Sequence, residues 1–525
     1  MKNRPDKILP VGKSKAPYSQ AVKIKTETSA GVLKTITLAL ILILQLVGAI
    51  YLSYYFVNLA TWALITTLVL SAITCVSVLS SNKNSQSKAV WIIVIFACFS
   101  FGYVLYILSD ERIFFRKSKK RFDAIMSRSE GFICQKDVKI QNVQVKRDAD
   151  FLLRTGNFPA YNNCSLEYFS SATEMFDDLI ERIKSAKKFI FIEFFIVSDG
   201  NLFNRILDVL KERVKDGVDV RLIYDDMGSH KTLSIKSKLM LKNAGIKVCP
   251  FNRLIPIFSL ALNIRDHRKI VVIDGKYAYA GGCNLADEYV NEKRMYGYWK
   301  DSALRLEGEA VDSFTIIFLR QWEFLKKKVE DYSQFLGHYE KIQNSSTVIP
   351  YADGLEYKEH VAKGVYENMI CSANETITIM TPYFIIDDAI TELLINKALS
   401  GVQITLFIPE VPDKKYAYGI TRSNAEKLID YGVKLLVVKN AFVHSKIVLT
   451  DNAVVVGSIN MDFRSFYQQF ECAVYTDDVK FIEQVKNDLN YTASISRRVT
   501  QRTKFRRSLL YRIYAGLMQL FAPFM

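Results

Sequence analysis

Histidine is scarce in this chain: there are five among 525 residues. Cysteine is little richer, and the eight, at positions 75, 98, 134, 164, 249, 283, 371 and 472, form no C-x-x-C pair and no cluster with histidine. Neither a zinc site nor a disulfide framework is therefore legible, no cofactor is called for, and buried small hydrophobes are the expected role of all eight. Acidic residues are in deficit against basic ones, 54 to 70, and the net charge of +16 points to an anionic partner, either nucleic acid or an acidic lipid surface. Half of the composition is apolar, which excludes disorder and leaves material for a large core in about three domains.

Charge is missing altogether from three long stretches, 35–57, 60–79 and 89–108. About 20 helical residues cover the roughly 30 Å of a bilayer's hydrocarbon, so each is long enough to span, and together they make a membrane domain over 35–110. Tyr51, Tyr54, Tyr55, Trp62 and Trp91 fall near the ends of these runs, where interfacial rings sit. A basic arm, 1–34, precedes them, and too much further apolar sequence follows for a cleaved signal peptide. Arg112, Arg116, Lys117, Lys119, Lys120 and Arg121 open a basic linker, 111–150. Arm and cluster both call for the cytoplasmic side, which three spans cannot satisfy unless one run is re-entrant or the charge bias is overridden.

Beyond residue 150 the chain repeats itself. Ser185-Ala186-Lys187-Lys188 leads into an apolar strand at 189–197, an amphipathic helix at about 201–215 and a strand at 217–224. Ser372-Ala373-Asn374-Glu375 leads into 376–386, a helix at about 388–399 and 401–408. Alternation at this spacing predicts two α/β halves, 151–330 and 351–495, joined by 331–350 and packed as a pseudo-dimer within one chain. A basic amphipathic tail, 496–525, reads as a helix lying on an anionic membrane surface.

Each half carries one phrase. His267-Arg268-Lys269 runs through an apolar strand to Asp274 and on to Gly281-Gly282-Cys283-Asn284; His444-Ser445-Lys446 runs likewise to Asp451 and Gly457-Ser458-Ile459-Asn460. With so few histidines, composition predicts about 0.07 chance matches to H-x-K-x4-D, so two with the same tail are a signal. A strand has period two, which puts His267 beside Lys269 and His444 beside Lys446, with the aspartates at turns. If the pseudo-twofold joins the strands, the pocket holds two His, two Lys and two Asn. That inventory suits phosphoryl transfer without a metal. Lys269, Lys446, Asn284 and Asn460 would hold nonbridging oxygens, one histidine would attack phosphorus, and the other would protonate the leaving alcohol and deprotonate the incoming one. Asp301 and Glu471 are expected to orient the two rings, while Asp274 and Asp451 either hold the motif's geometry or act chemically.

These residues resemble the paired HKD motifs of the phospholipase D superfamily, and more closely the bacterial cardiolipin synthases. The resemblance rests on Asp266 to Gly275, on Gly281 to Tyr289, on Gly297-Tyr298-Trp299-Lys300-Asp301, on Thr381-Pro382-Tyr383-Phe384, on Arg422-Ser423 and on Asn460-Met461-Asp462-Phe463-Arg464-Ser465. It implies an α/β fold of two phospholipase D-like repeats preceded by N-terminal transmembrane helices, in a multi-pass protein of the bacterial cytoplasmic membrane. It also implies a transfer in which one phosphatidylglycerol yields a phosphatidyl-histidine and glycerol and a second attacks to give cardiolipin, with phosphatidylglycerol and the anionic bilayer as partners. The positive charge would also suit a nuclease of the superfamily, but the three membrane runs count against nucleic acid. A phospholipase D, or a transferase using another alcohol, would run through the same intermediate. The chain departs from the family in its first apolar run and in Gln468-Gln469, a change that could tune acceptor choice. The apolar segment 250–260 is expected to dip into lipid as a lip beside His267.

Overall fold

Two units divide the chain, Met1–Ile107 and Leu108–Met525. The computed structural model describes residues 24–55, 57–81, 83–109, 111–133, 138–253, 264–501 and 508–524.

In the first unit, α1 (Ile24–Tyr55) and α2 (Val57–Leu79) carry the first two apolar runs, and the third divides into α3 (Ser85–Ala97) and α4 (Phe99–Ser109). Asn84 caps α3 by accepting from the Ser87 amide. At Cys98 the chain folds back. The rings of Trp91 and Tyr106 meet edge to face at 5.2 Å, and a Cβ on Gly102 would stand 2.6 Å from the Ile95 Cα. In one continuous helix residues 91 and 106 would lie about 22 Å apart. The expectation of a third span is corrected: α3 and α4 form a helical hairpin whose arms reach about 20 and 17 Å, short of a bilayer's roughly 30 Å. Thr61–Leu79 is the described helical stretch long and apolar enough to cross a membrane. Its Ser71, Thr74, Cys75 and Val78 form a buried stripe at helical spacing, and Val90, Trp91 and Ile95 of α3 are buried too.

The second unit is built on two sheets. The first comprises β1 (Cys164–Phe169), β2 (Phe189–Phe194), β3 (Asp219–Asp225), β4 (Lys247–Phe251), β5 (Lys269–Ile273) and β6 (Tyr277–Gly281); β7 (Tyr298–Lys300) stands outside it and β8 (Ala303–Gly308) completes it. The second comprises β9 (Val348–Asp353) and β10 (Thr376–Met380), then, past the short β11 (Phe384–Ile385), β12 (Gln403–Pro409) and β13 (Lys434–Val438). After β14 (Ala441–Val443) it takes in β15 (Ile447–Thr450) and β16 (Val454–Gly457), and after β17 (Met461–Asp462) it ends with β18 (Glu471–Thr476) and β19 (Ser496–Val499). Strand order is β1-β8-β6-β5-β2-β3-β4 in one and β9-β18-β16-β15-β10-β12-β13-β19 in the other. Apart from the added edge strand β19, the order is the same, which is the pseudo-dimer in structural form.

Each motif strand lies mid-sheet: β5 pairs antiparallel with β2 and β6, and β15 with β10 and β16. These strands are continuously apolar because both faces are covered. The helix Val311–Lys326 is buried from Ser313 to Glu323 and packs on β5 of the first sheet and β9 of the second, so the two halves share one core.

Several boundaries shift. The segment 111–150 is no linker but carries α5 (Glu111–Ser129) and most of α6 (Val143–Gly156). Phe122 stacks on Phe324 at 3.8 Å, and Val145, Ala149 and Leu152 are buried. Its basic residues advertise the exposed face, while the helical spacing of its few apolar ones fixes the packed face. β9 begins inside the expected connection 331–350, and β19 is drawn from the expected tail. Cysteine is corrected too: Cys371 is exposed and Cys98 half-buried. The helix Leu509–Leu520 and the turn after it dock through Met518 and Ala522 on Ala417 and Ile420, yet Leu509, Leu510, Ile513 and Leu517 stay exposed. Of the expected lip 250–260, Pro250 and Phe251 close β4 and 254–260 lie outside the described residues, as does most of the tail's basic cluster, on 502–507.

Candidate active site between the two halves

Each motif histidine is held by the opposite half. The His267 amide donates to the Phe470 carbonyl at 2.9 Å, and the Phe470 amide donates to the Arg265 carbonyl at 2.9 Å. On the other side β14 runs parallel to β7, and the His444 amide donates to the Lys300 carbonyl at 2.7 Å. One residue further along each supporting segment comes the carboxylate. Glu471 Oε1 therefore lies 2.9 Å from His267 Nδ1, and Asp301 Oδ2 lies 2.7 Å from His444 Nδ1. The two predicted orienters do meet the two predicted histidines, and each pair is made across the pseudo-twofold.

The rings are fixed by aromatics as well. Phe195 meets His267 edge to face at 5.1 Å, and Tyr289 meets His444 in the same way at 5.4 Å. Trp299 and Phe442 complete the wall around His444. Both histidines, with Asn284 and Asn460, line one cavity of about 330 Å³.

Lys269 and Lys446 are almost wholly buried, and each ammonium donates to the carbonyl of its own motif histidine. Burial lowers Lys269 to about 7, with Lys446 adding to the effect, and lowers Lys446 to about 8. Burial and the two lysines also hold His267 well below the ordinary imidazole range, and burial with Lys446 brings His444 to about 3 against the opposing pull of Asp301. The carboxylates differ. Burial pushes Glu471 up to about 8, whereas at Asp301 the charges of His444 and Lys446 overcome burial and leave it lowered.

The asparagines part company. Asn284 Oδ1 accepts from the Ile196 amide at 3.0 Å and its Nδ2 donates to the Tyr289 hydroxyl at 2.6 Å, so this side chain braces the wall it belongs to. Asn460 Oδ1 has no hydrogen-bond partner among the described residues. The motif aspartates stand apart from the histidines. Asp274 accepts from the amides of Lys187 and Lys188 at 2.7 Å and of Phe189 at 2.9 Å, pinning the start of β2. Asp451 does the same for Asn374, Glu375 and Thr376 at the start of β10. At the Asp274-Gly275 turn φ is 53° and 66°, the left-handed pair of a tight hairpin.

Sequence reasoning missed several members. Ser458 and Ser465 both donate to Glu471, the latter at 2.7 Å. Ser458 was visible as half of the small-residue pair, and its counterpart Gly282 shows why the pair is small: a Cβ there would stand 2.1 Å from Asp301 Oδ1. Glu288, Lys414 and Arg464 also line the cavity with no periodicity to mark them out, and so does Gln469, already noted as a departure from the family.

A family model described as cardiolipin synthase, PLD-like domain, matches residues 179–322 and 366–492. An uncharacterized protein of Streptococcus mutans is 38% identical over 376 residues, 71% of this chain and 82% of its own. A cardiolipin synthase of Staphylococcus aureus strain Mu50 is 30% identical over 460 residues, 84% of this chain and 92% of its own. Among solved structures, the phosphatidylserine synthase of Haemophilus influenzae Rd KW20 shares the fold with a TM-score of 0.56 at 16% identity, covering 73% of this chain and 100% of that one.

Proposed function

Since the chain belongs to the PLD-like cardiolipin synthase family and is a phosphatidyltransferase, we propose that it joins two phosphatidylglycerol molecules into cardiolipin and releases glycerol. The observation that carries this reading is the pair of histidines, each hydrogen-bonded to a carboxylate of the opposite half, in one cavity. With Nδ1 turned to a carboxylate, Nε2 is the nitrogen left for chemistry. One imidazole attacks the phosphorus of the first lipid; the P–N bond forms as the bond to the glycerol oxygen breaks, and the other histidine protonates that oxygen. The second lipid's hydroxyl gives its proton back to the same histidine and takes the phosphatidyl group.

Lys269, Lys446 and Asn460 answer the charge on the nonbridging oxygens. The site suits an anion: burial and then two buried ammonium groups depress both imidazoles, and a bound phosphodiester offsets the share due to the lysines and helps keep them charged. Asn284 supports the wall through Ile196 and Tyr289.

The chain works in the bacterial cytoplasmic membrane. With α1 and α2 crossing and the α3–α4 hairpin turning back, the chain leaves the bilayer on the face it entered. The exposed Leu509, Leu510, Ile513 and Leu517 lie against lipid. Purified protein in phosphatidylglycerol micelles should form cardiolipin and glycerol in equal amounts, and His267→Ala or His444→Ala should lower the rate by at least about 1,000-fold. Phosphatidic acid as the sole product would replace synthesis by hydrolysis.

A further inference from the structure

The cavity is asymmetric where the chain is symmetric. Four residues beyond each motif asparagine stand Glu288 in the first half and Arg464 in the second, and both line the cavity. Lys414, beyond the end of β12, joins Arg464 there. The two cations bear on the same Asp462 carboxylate, and Lys414 bears also on His267. Gln469 borders the same space at 8% exposure, and its Oε1 has no hydrogen-bond partner among the described residues. The cations that line the cavity are Lys414 and Arg464, beside the carboxylates of Glu288, Asp413 and Asp462, while the motif lysines lie behind the histidines and bond their carbonyls. A transfer that joins two lipids brings a second phosphodiester to this cavity, which suits a cationic pair beyond the motif lysines, and a buried acceptor atom without a partner is costly unless a ligand donates to it.

We propose that Lys414, Arg464 and Gln469 form the seat of the acceptor lipid. The two cations hold the phosphodiester of the second phosphatidylglycerol, and Gln469 Oε1 accepts from its secondary glycerol hydroxyl. This seat rests on the function proposed above. It leaves the primary hydroxyl for the reaction: its oxygen bonds to phosphorus as the P–N bond to histidine breaks, the ring keeps that electron pair, and the hydroxyl proton passes to the other histidine. Free glycerol can resolve the same intermediate but has no phosphate for the seat to hold.

The two acceptors can therefore be compared in one tube. Full-length protein in phosphatidylglycerol micelles with labelled glycerol makes cardiolipin by one route and labelled phosphatidylglycerol by the other. Lys414→Gln should lower the ratio of cardiolipin to exchange by at least tenfold, Lys414→Arg should restore most of it, and Gln469→Leu should lower it as well. An unchanged ratio in Lys414→Gln, or an equal fall in both products, would overturn the seat. Exchange without cardiolipin in the unmodified protein would instead refute the parent reading, and the seat with it.

Discussion

The same substitution, aspartate to asparagine, should have opposite consequences at Asp274 and Asp301. Asp301 is fully buried, is held ionised by His444 and Lys446, and contacts His444 Nδ1 at 2.7 Å. A hydrogen bond to a charged group contributes about 1.5–3 kcal/mol, or roughly 10–150-fold in rate. Asparagine does more than weaken it. If Oδ1 keeps its bond from the Ser302 amide, the new NH2 faces Nδ1 and moves the ring proton to Nε2, where a lone pair is needed. Asp301→Asn should therefore lose at least about 100-fold in turnover with little change in thermal midpoint. Asp274 touches no histidine and holds three backbone amides. Asparagine keeps Oδ1 for Lys188 and Phe189 but turns a donor toward Lys187, a loss of about 1–3 kcal/mol in stability. Turnover per folded molecule should stay within about threefold, since an acceptor this far from the cavity adds nothing to the chemical step. Phosphatidyl transfer from phosphatidylglycerol, normalised to folded protein, with denaturant unfolding in parallel, separates the two. A catalytic collapse of Asp274→Asn at unchanged stability would refute the assignment.

Gly282→Ala should depress activity as Asp301→Asn does, because its Cβ would displace the Asp301 carboxylate, and activity with unfolding midpoint reads this directly. Arg268→Leu should cost about 3–5 kcal/mol, visible in the denaturant midpoint, because it strands Glu193 and Asp266, whose carboxylates lie 3.1 and 3.2 Å from the guanidinium. Folded His444 has its pKa lowered to about 3, so its contribution is present above the unfolded value near 6.5 and is lost as pH falls toward 3. Thermal midpoints across that range should fall less steeply in His444→Gln. Glu471 runs the other way: raised to about 8, it contributes stability that is full below its unfolded value near 4.5 and is lost as pH rises from there through 8, and Glu471→Gln should flatten that decline. Leu510→Ser with Ile513→Ser should weaken binding of the second unit to anionic vesicles, as measured by flotation.

Much of the site was legible because the repeat announces it. Two matching phrases name His267, Lys269, His444 and Lys446, and period two alone puts each lysine beside its histidine. The carboxylates Asp301 and Glu471 could be named, but their crossing to opposite halves could not, since it depends on the pairing of β14 with β7 and of Asp266 with Phe470. The role of the aspartates at 274 and 451 was ambiguous for a similar reason: an aspartate at a turn looks alike whether it caps a strand or moves a proton. The third apolar run misled because hydropathy reports composition, while the reversal at Cys98 is carried by Gly102 fitting against Ile95 and by Trp91 meeting Tyr106. The asymmetric wall of Glu288 and Arg464 lay in the sequence as a charge reversal at matched positions, with nothing local to mark it as lining a cavity.

The central claim is that both halves make one phosphatidyl-transfer centre working through a histidine adduct. Protein mixed with phosphatidylglycerol labelled at phosphorus and quenched in base should carry covalent label on a peptide containing His267 or His444, and a chase of unlabelled phosphatidylglycerol should move that label into cardiolipin. The label should vanish in the alanine variant of that histidine and build up without chasing in the variant of the other. Label on neither peptide while cardiolipin still forms would contradict the account.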